Sequence, residues 1–392
     1  MKSLNGVRRI AGFALVASAL ATASAWAGDL KVGVVTSLSG PVSSLGIPYE
    51  KGIRAAQAFM PELNGRKVQV IVLDDASDPS TAARNARKLI DEDKVDVVIG
   101  SAGSPSSLAI AAVARETKTP QISIAYADLP KDSGAWMFTV PQPASLMMSA
   151  MLQNMKESGV KTVGYIGYSD AWGDLVYDAL TKGAPNYGIK VLNNERFARA
   201  DSSVAGQVLK TVALNPDAVM TGASGTPGAL PYLALAERHY KGKLYGMHSL
   251  INPDFIRVGG AAVEGVIVPT GPVVVADQLP AGNPMRKVAM EFRAAYQKAN
   301  GAVPTDTFSA YSFDAWLVAM DAAKRASAKA EPGTPQFRQA LRDAIESTHE
   351  LVGTHSVYNF KPDSRFGSDE RSRVVVKLEK GQWKLVPSKK AE

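Results

Sequence analysis

The chain carries no cysteine among its 392 residues, and its histidines are confined to His239, His248, His349 and His355. The first absence removes thiol nucleophiles, iron–sulfur clusters, thiolate zinc sites and c-type haem attachment. It also removes the lipid-bearing cysteine that an exported lipoprotein needs at its cleavage site. The second leaves no H-E-x-x-H zinc helix, because His349 and His355 have the spacing H-x5-H. Phosphate and dinucleotide loops are missing too. The turn Ser37-Leu38-Ser39-Gly40-Pro41 lacks G-x-G-x-x-G, and neither G-x-x-x-x-G-K-[ST] nor a G-x-S-x-G elbow occurs. Asp74-Asp75 and Asp91-Glu92-Asp93 read as a strand end and a solvated face rather than as an acid/base pair. No metal or cofactor is expected, and no enzymatic activity.

Long apolar runs are also scarce. Ile10–Ala23 is shorter than the ~20 residues a membrane-spanning helix needs, and nothing later reaches that length. Lys2, Arg8 and Arg9 precede this run and Ala25-Trp26-Ala27 follows it, which is the pattern of a secretory leader cleaved near Ala27. With no lipid anchor, the expected location is the periplasm. The formal charge of +7 falls to +4 once those three leader cations are removed, so the sequence pI of 9.3 overstates the basicity of the mature chain. The remaining Lys and Arg are scattered instead of forming a stripe, which argues against nucleic acid as a partner.

What is present is a long α/β alternation. The length suggests about two domains. Strand-length apolar runs at Leu30–Thr36, Lys67–Asp74, Val95–Gly100 and Pro120–Ala125 alternate with helical patterns at Tyr49–Phe59, Ser80–Leu89 (with a Ser cap) and Ser106–Arg115. Continuous Val/Ile runs between helices mark a parallel sheet covered on both faces. The pattern restarts around Phe138–Ala144. Strands are expected at Thr162–Gly167, Ile189–Val191, Asp217–Thr221, Leu244–Met247 and Glu264–Pro269, with a helix at Ser203–Leu214. Three further helices (Pro284–Ala299, Phe308–Ala328, Pro335–Ile345) and strands at 355–360 and 373–386, turning at Lys380-Gly381, complete the chain. The fold class is therefore α/β with two doubly wound parallel-sheet lobes. The expected division is 28–142 plus 272–351 against 143–271 plus 352–392, with crossovers near Gln142, Pro269–Pro272 and Val352–Asn359.

Ligands of open α/β sheets collect at the carboxyl ends of strands, and several such loops carry distinctive residues. Ser104-Pro105 follows a buried strand, with Ser104 at the N-cap position and Pro105 as first helical residue. Such a start offers free N–H groups and a hydroxyl to a carboxylate, or is a cap without a ligand. Ala125-Tyr126-Ala127 is the neighbouring strand-end loop. In the second lobe Trp172 occupies the corresponding loop, either as a ligand platform or as core. Gly222–Gly228, with Ser224 and Gly225, is an anion cradle or a tight turn. His248 follows the Leu244–Met247 strand as a ligand contact or a solvated side chain.

Val32–Pro41 (VGVVTSLSGP), Val97–Ser104 (VVIGSAGS), Ala171-Trp172-Gly173 and Glu264–Pro272 (EGVIVPTGP) together resemble the periplasmic leucine/isoleucine/valine-binding protein family, in order along the whole mature chain. The resemblance implies a type I periplasmic binding fold with three hinge crossovers, closing over a solute for the membrane permease of an ABC transporter, and a monomer. It also implies a ligand set. Ser104 and Ala125 match the family's carboxylate- and amine-holding Ser and Ala, and Trp172 matches its second-lobe aromatic. Ala127 stands where the family has Thr, and His248 stands near the acidic residue that accepts an ammonium. Ser224 or Gly225 replaces an aromatic, and so does Leu45. These departures touch the ammonium side, so the expected solute is a small carboxylate, aromatic in character, its ring sandwiched by Tyr126 and Trp172. The alternative is a branched-chain or other amino acid. A ligand-sensing domain and an exported hydrolase are the competing classes.

Overall fold

The computed structural model describes residues 28–387 except 131 and 133; the expected leader lies outside the described residues. The first sheet is built from β1 (Lys31–Thr36), β2 (Gln69–Asp74), β3 (Val97–Gly100), β4 (Gln121–Ser123) and β5 (Met137–Thr139) in the order β2-β1-β3-β4-β5, every pair parallel. Helices α1 (Ser43–Phe59), α2 (Pro79–Arg87) and α3 (Ser104–Thr117) make the crossovers. The cap of α2 is Asp78, whose carboxylate accepts the Thr81 N–H at 2.7 Å, and not the expected Ser80. Asp78 wins because Pro79 already fits the first helical position, where a missing N–H costs nothing.

The chain then enters the second lobe through α4 (Ala144–Glu157), β6 (Thr162–Tyr168), α5 (Ala171–Gly183), β7 (Glu195–Phe197), α6 (Ala205–Ala213), β8 (Ala218–Gly222), α7 (Leu230–Glu237), β9 (Lys243–Tyr245), α8 (Pro253–Gly259) and β10 (Ile267–Thr270). Its parallel order is β7-β6-β8-β9-β10. From there α9 (Arg286–Asn300), α10 (Phe308–Ala326) and α11 (Pro335–Glu346) return to the first lobe, where α10 packs on α1 and α11. Nearly every face of α10 is apolar or small, as a helix buried all round must be. Finally β11 (Val374–Glu379) pairs antiparallel with β10, and β12 (Gln382–Leu385) pairs antiparallel with β11, extending the second sheet. Lys380 and Gly381 both take positive φ in the tight turn between them, and both backbone N–H groups donate to Glu264.

The apolar side chains separate in the same way. Phe138, Phe308, Tyr311, Trp316 and Phe337 share one core, while Met147, Tyr165, Val176 and Met220 share another. Val273 and Ala276 lie in the first core, with Val275 and Leu279 in a satellite cluster under β10 and β11, so the second crossover falls at Pro272–Leu279. The third crossover lies later than the expected Val352–Asn359. The short pair Leu351–Val352/Val357–Tyr358 belongs to the first lobe, since Tyr358 and Phe360 are buried in its core and Phe366 bridges β5 at Thr139. Three crossover residues meet in one buried cluster. Gln142 donates to the Ser372 carbonyl at 2.7 Å and accepts from Tyr311 Oη at 2.6 Å. Gly271 lies so close that an added Cβ would stand 1.9 Å from His355 Nδ1.

Candidate functional site

Strands β1–β4 and β6–β9 run parallel within their sheets, so their carboxyl ends place successive loops along one edge of each lobe. In the first lobe these loops are tied from behind by Asp75, which the sequence presents as part of an unremarkable acidic pair. Its buried carboxylate accepts from Ser37 Oγ at 2.7 Å, from the Ser77 N–H at 2.9 Å and from Ser101 Oγ. Three loops are thereby fixed together. The next of them begins α3, and here the structure corrects the expected cap. Gly103 is the N-cap, and Ser104 is the first helical residue. The Ser104 hydroxyl is therefore not spent on capping and makes no hydrogen bond among the described residues, although Ser104 is only 3% exposed. The Ile124–Ala127 loop is braced through its carbonyls, which accept from Tyr49 Oη, Ser123 Oγ and Thr139 Oγ1 at 2.6, 2.7 and 3.0 Å. Burial, with the Asp128 carboxylate nearby, raises the pKa of the Tyr126 hydroxyl, so it stays protonated.

In the second lobe Asp170 caps α5, accepting from the Trp172 and Gly173 N–H groups at 2.9 and 3.2 Å. Trp172 is thus the second residue of a helix and not a loop residue, and its Nε1 donates to the Ala223 carbonyl at 3.3 Å. Asp170 also holds Arg199, whose Nε lies 2.5 Å from its Oδ2. Arg199 Nη1 donates to Ser224 Oγ at 2.8 Å, and its guanidinium lies 4.2 Å over the Tyr168 ring. His248 opens a short 3₁₀ turn, buried between Trp172 and Tyr311 at ring separations of 5.8 Å on either side. Burial pushes its pKa down to about 4, so the ring is neutral at physiological pH. The solvated His248 considered from sequence is corrected accordingly.

Between the lobes these loops enclose a narrow cavity of about 30 Å³. Leu45, Ser104, Ala125, Tyr126, Trp172, Ser224 and His248 line it together with Tyr49, Arg199, Ser249 and Phe308. Two expected residues are absent from the lining. Ala127 is buried beside Ala111 and Met137, with its carbonyl taken by Thr139. Gly225 sits at the rim with φ +61°, where an added Cβ would stand 2.6 Å from Leu45 Cδ1 and Ser44 Oγ, and the Thr226 N–H beside it donates across the lobes to Ser44 Oγ at 3.2 Å. The expected ring sandwich is also corrected. Tyr126 and Trp172 meet edge-on, 6.2 Å apart at 62°, and Tyr126 instead lies at 31° to Phe366. Parallel stacking on both faces of a third ring needs two parallel walls about 7 Å apart. Larger grooves of about 670, 650 and 550 Å³ lie beside α4 and β11–β12, beside the end of α11, and beside α8 and β12, but none of them gathers the strand-end loops. Arg199 follows β7, a strand that no apolar run in the sequence marks, and Phe366, which packs on Tyr126, belongs to no motif.

The family model described as periplasmic binding protein matches residues 29–371. The chain belongs to that family. This periplasmic binding protein is 39% identical to an extracellular ligand-binding receptor from Rhodopseudomonas palustris HaA2, whose structure superposes with a TM-score of 0.88 over 92% of this chain and 100% of that one. It is 24% identical over 260 residues to the Leu/Ile/Val-binding protein homolog 3 of Brucella melitensis biotype 1, which covers 64% of this chain and 70% of the relative. An ABC-transporter solute-binding protein from R. palustris in complex with benzoate shares the fold, with a TM-score of 0.74, 23% identity and coverage of 92% and 96%. The family resemblance and the type I fold read from the sequence therefore hold.

Proposed function

We propose that this periplasmic binding protein is the solute-capturing component of an ABC importer and that its solute is a small aromatic carboxylate. The observation that carries the reading is the composition of the cleft. Ser104, Ser224, Arg199 and a neutral His248 line it with four aromatic rings, and among the described residues no acidic side chain lines it. An α-ammonium brought there would lose its water without gaining a counter-charge, which costs several kcal/mol for a buried ion (on the order of the penalty for an unpaired charge). A carboxylate finds the Ser104 hydroxyl and the N-terminus of α3. Leu45 and Ala125 fill the apolar wall, and Trp172 takes the ring edge-on or by its free face. The benzoate-bound neighbour supports this solute class, while the Leu/Ile/Val-binding relatives support an amino acid as the second reading.

On this reading the lobes are the moving parts, 28–142 with 272–371 against 143–271 with the terminal strands, and solute held by both biases the hinge toward closure. The protein acts as a periplasmic monomer after loss of the leader and docks on a membrane permease; nucleic acid is not a partner. Among the described residues no helix is long and apolar enough to cross a membrane. The test is a thermal-shift screen of the purified mature chain against aromatic acids, aliphatic acids and amino acids. A solute at a hundred times its Kd stabilises by about 2.7 kcal/mol. Aromatic acids should shift the transition; a screen in which only leucine, isoleucine or valine does so would favour the second reading.

A further inference from the structure

We infer that Arg199, with Ser224, is the second-lobe anchor of the solute's carboxylate, facing Ser104 and the start of α3 across the cleft, so that the anion itself ties the two lobes. The inference rests on the carboxylate reading above. Arg199 comes from the loop at the carboxyl end of β7, and it lines the cavity together with Ser104.

Its hydrogen bonding is incomplete in an informative way. Nε is spent on Asp170 and one Nη1 proton on Ser224 Oγ, while Nη2 makes no hydrogen bond among the described residues. A guanidinium has five N–H donors in a fixed fork, so the remaining edge is preset for a carboxylate. Ser224 contributes through the same contact. Its oxygen accepts from Arg199, which frees its own O–H to donate, while its backbone carbonyl is already occupied by Tyr168 Oη at 2.6 Å. The charge balance agrees. Asp170 neutralises Arg199 only in part, because the same carboxylate also accepts two N–H groups at the positive end of α5. The stack on Tyr168 and the two-point tether hold the fork still before any solute arrives.

Lysine cannot reproduce this arrangement, since one ammonium cannot keep the Asp170 and Ser224 geometry and present a planar fork. The experiment compares benzoate with benzamide, which share a ring and differ in charge, by titration calorimetry on wild type, Arg199→Gln, Arg199→Lys and Ser224→Ala, each checked for a wild-type circular dichroism spectrum and melting transition. Wild type should prefer benzoate, and Arg199→Gln should lose at least about tenfold in benzoate affinity and most of the preference over benzamide, as expected for a lost charge-assisted bond. Arg199→Lys should not restore the preference, and Ser224→Ala should reduce it by a smaller factor. Folded Arg199→Gln that keeps the wild-type benzoate-to-benzamide ratio overturns the assignment while leaving the carboxylate reading intact. Wild type that binds no aromatic acid overturns both. If the arginine variants do not fold, the ratio in Ser224→Ala decides: an unchanged ratio overturns the clamp.

Discussion

At His248 the imidazole gives up its solvent without gaining a partner, because Nδ1 is buried with no hydrogen bond and the ring is walled by Trp172 and Tyr311. Its pKa therefore falls to about 4, and two consequences follow. Solute affinity should be flat between pH 6 and 8, since neither the ring nor an aromatic acid titrates there; calorimetry at three pH values checks this. Stability behaves differently. The unfolded chain binds a proton at this side chain below about pH 6.5, and the folded chain does so only near pH 4, so stability is lost as pH falls through that interval and is unchanged above it. Asp314, pushed up to about 6 by burial, acts in the opposite sense between pH 6 and 4, so the measurement must be a difference. His248→Gln should flatten the wild-type slope of stability against pH by about 1.4 kcal/mol per unit between pH 6 and 4.5 in urea melts. An unchanged slope would mean that His248 is solvated. Trp172 gives a third residue-scale expectation. Trp172→Leu keeps an apolar wall but no π-face, so aromatic acids should weaken by several-fold relative to aliphatic ones in parallel titrations (on the order of 1 kcal/mol).

Loops, more than helices or strands, decide the geometry of the cleft, and Asp75 is their common anchor. It binds three loops at once through buried contacts. Asp75→Ala should cost about 3 kcal/mol by denaturant melts, because a bond to a carboxylate is worth roughly twice a neutral one and several are lost together. A loss under ~0.5 kcal/mol would show that the loops hold without it. The rim loop at Gly225 tests the other side. Gly225→Ala adds a Cβ against Leu45 and Ser44 at a positive φ, so it should weaken solute binding by holding the lobes apart while each lobe stays folded. Scattering that shows no expansion would contradict this. The order of strands and the strand-end loops was legible because apolar runs and turn residues are local signals, which is why Ser104, Tyr126 and Trp172 could be singled out. The exact cap was not, since Asp78 caps α2 two positions before the expected Ser80, and Gly103 caps α3 one position before Ser104. Less legible still were groups whose role depends on distant partners. Asp75 looks like half of an exposed pair until Ser37 and Ser101 close over it. Arg199 has no motif, Phe366 arrives from the segment that precedes the third crossover, and the neutrality of His248 follows from burial that no local pattern encodes.

For the whole molecule, the two sheets and their separate cores leave the cleft and the hinge as the two places where the lobes communicate. They are linked by packing. His248 of the second lobe touches Tyr311 of the first, Tyr311 stacks on His355 at 3.8 Å and donates to Gln142, and Gln142 holds Ser372 on the third crossover. Gly271 of the second crossover fits against the same His355. Solute in the cleft thus presses on a side-chain column that ends at all three crossovers. The central claim, that this column closes on a carboxylate without an ammonium, is tested most directly by one matched pair. Phenylacetate and phenylglycine share the ring and the carboxylate and differ by the α-ammonium alone. Titration calorimetry of the mature protein with both should give saturable binding of phenylacetate and none, or binding weaker by at least about a hundredfold, for phenylglycine, the cost of burying an unpaired cation. Equal or tighter binding of phenylglycine would contradict the account and place an ammonium acceptor in the cleft.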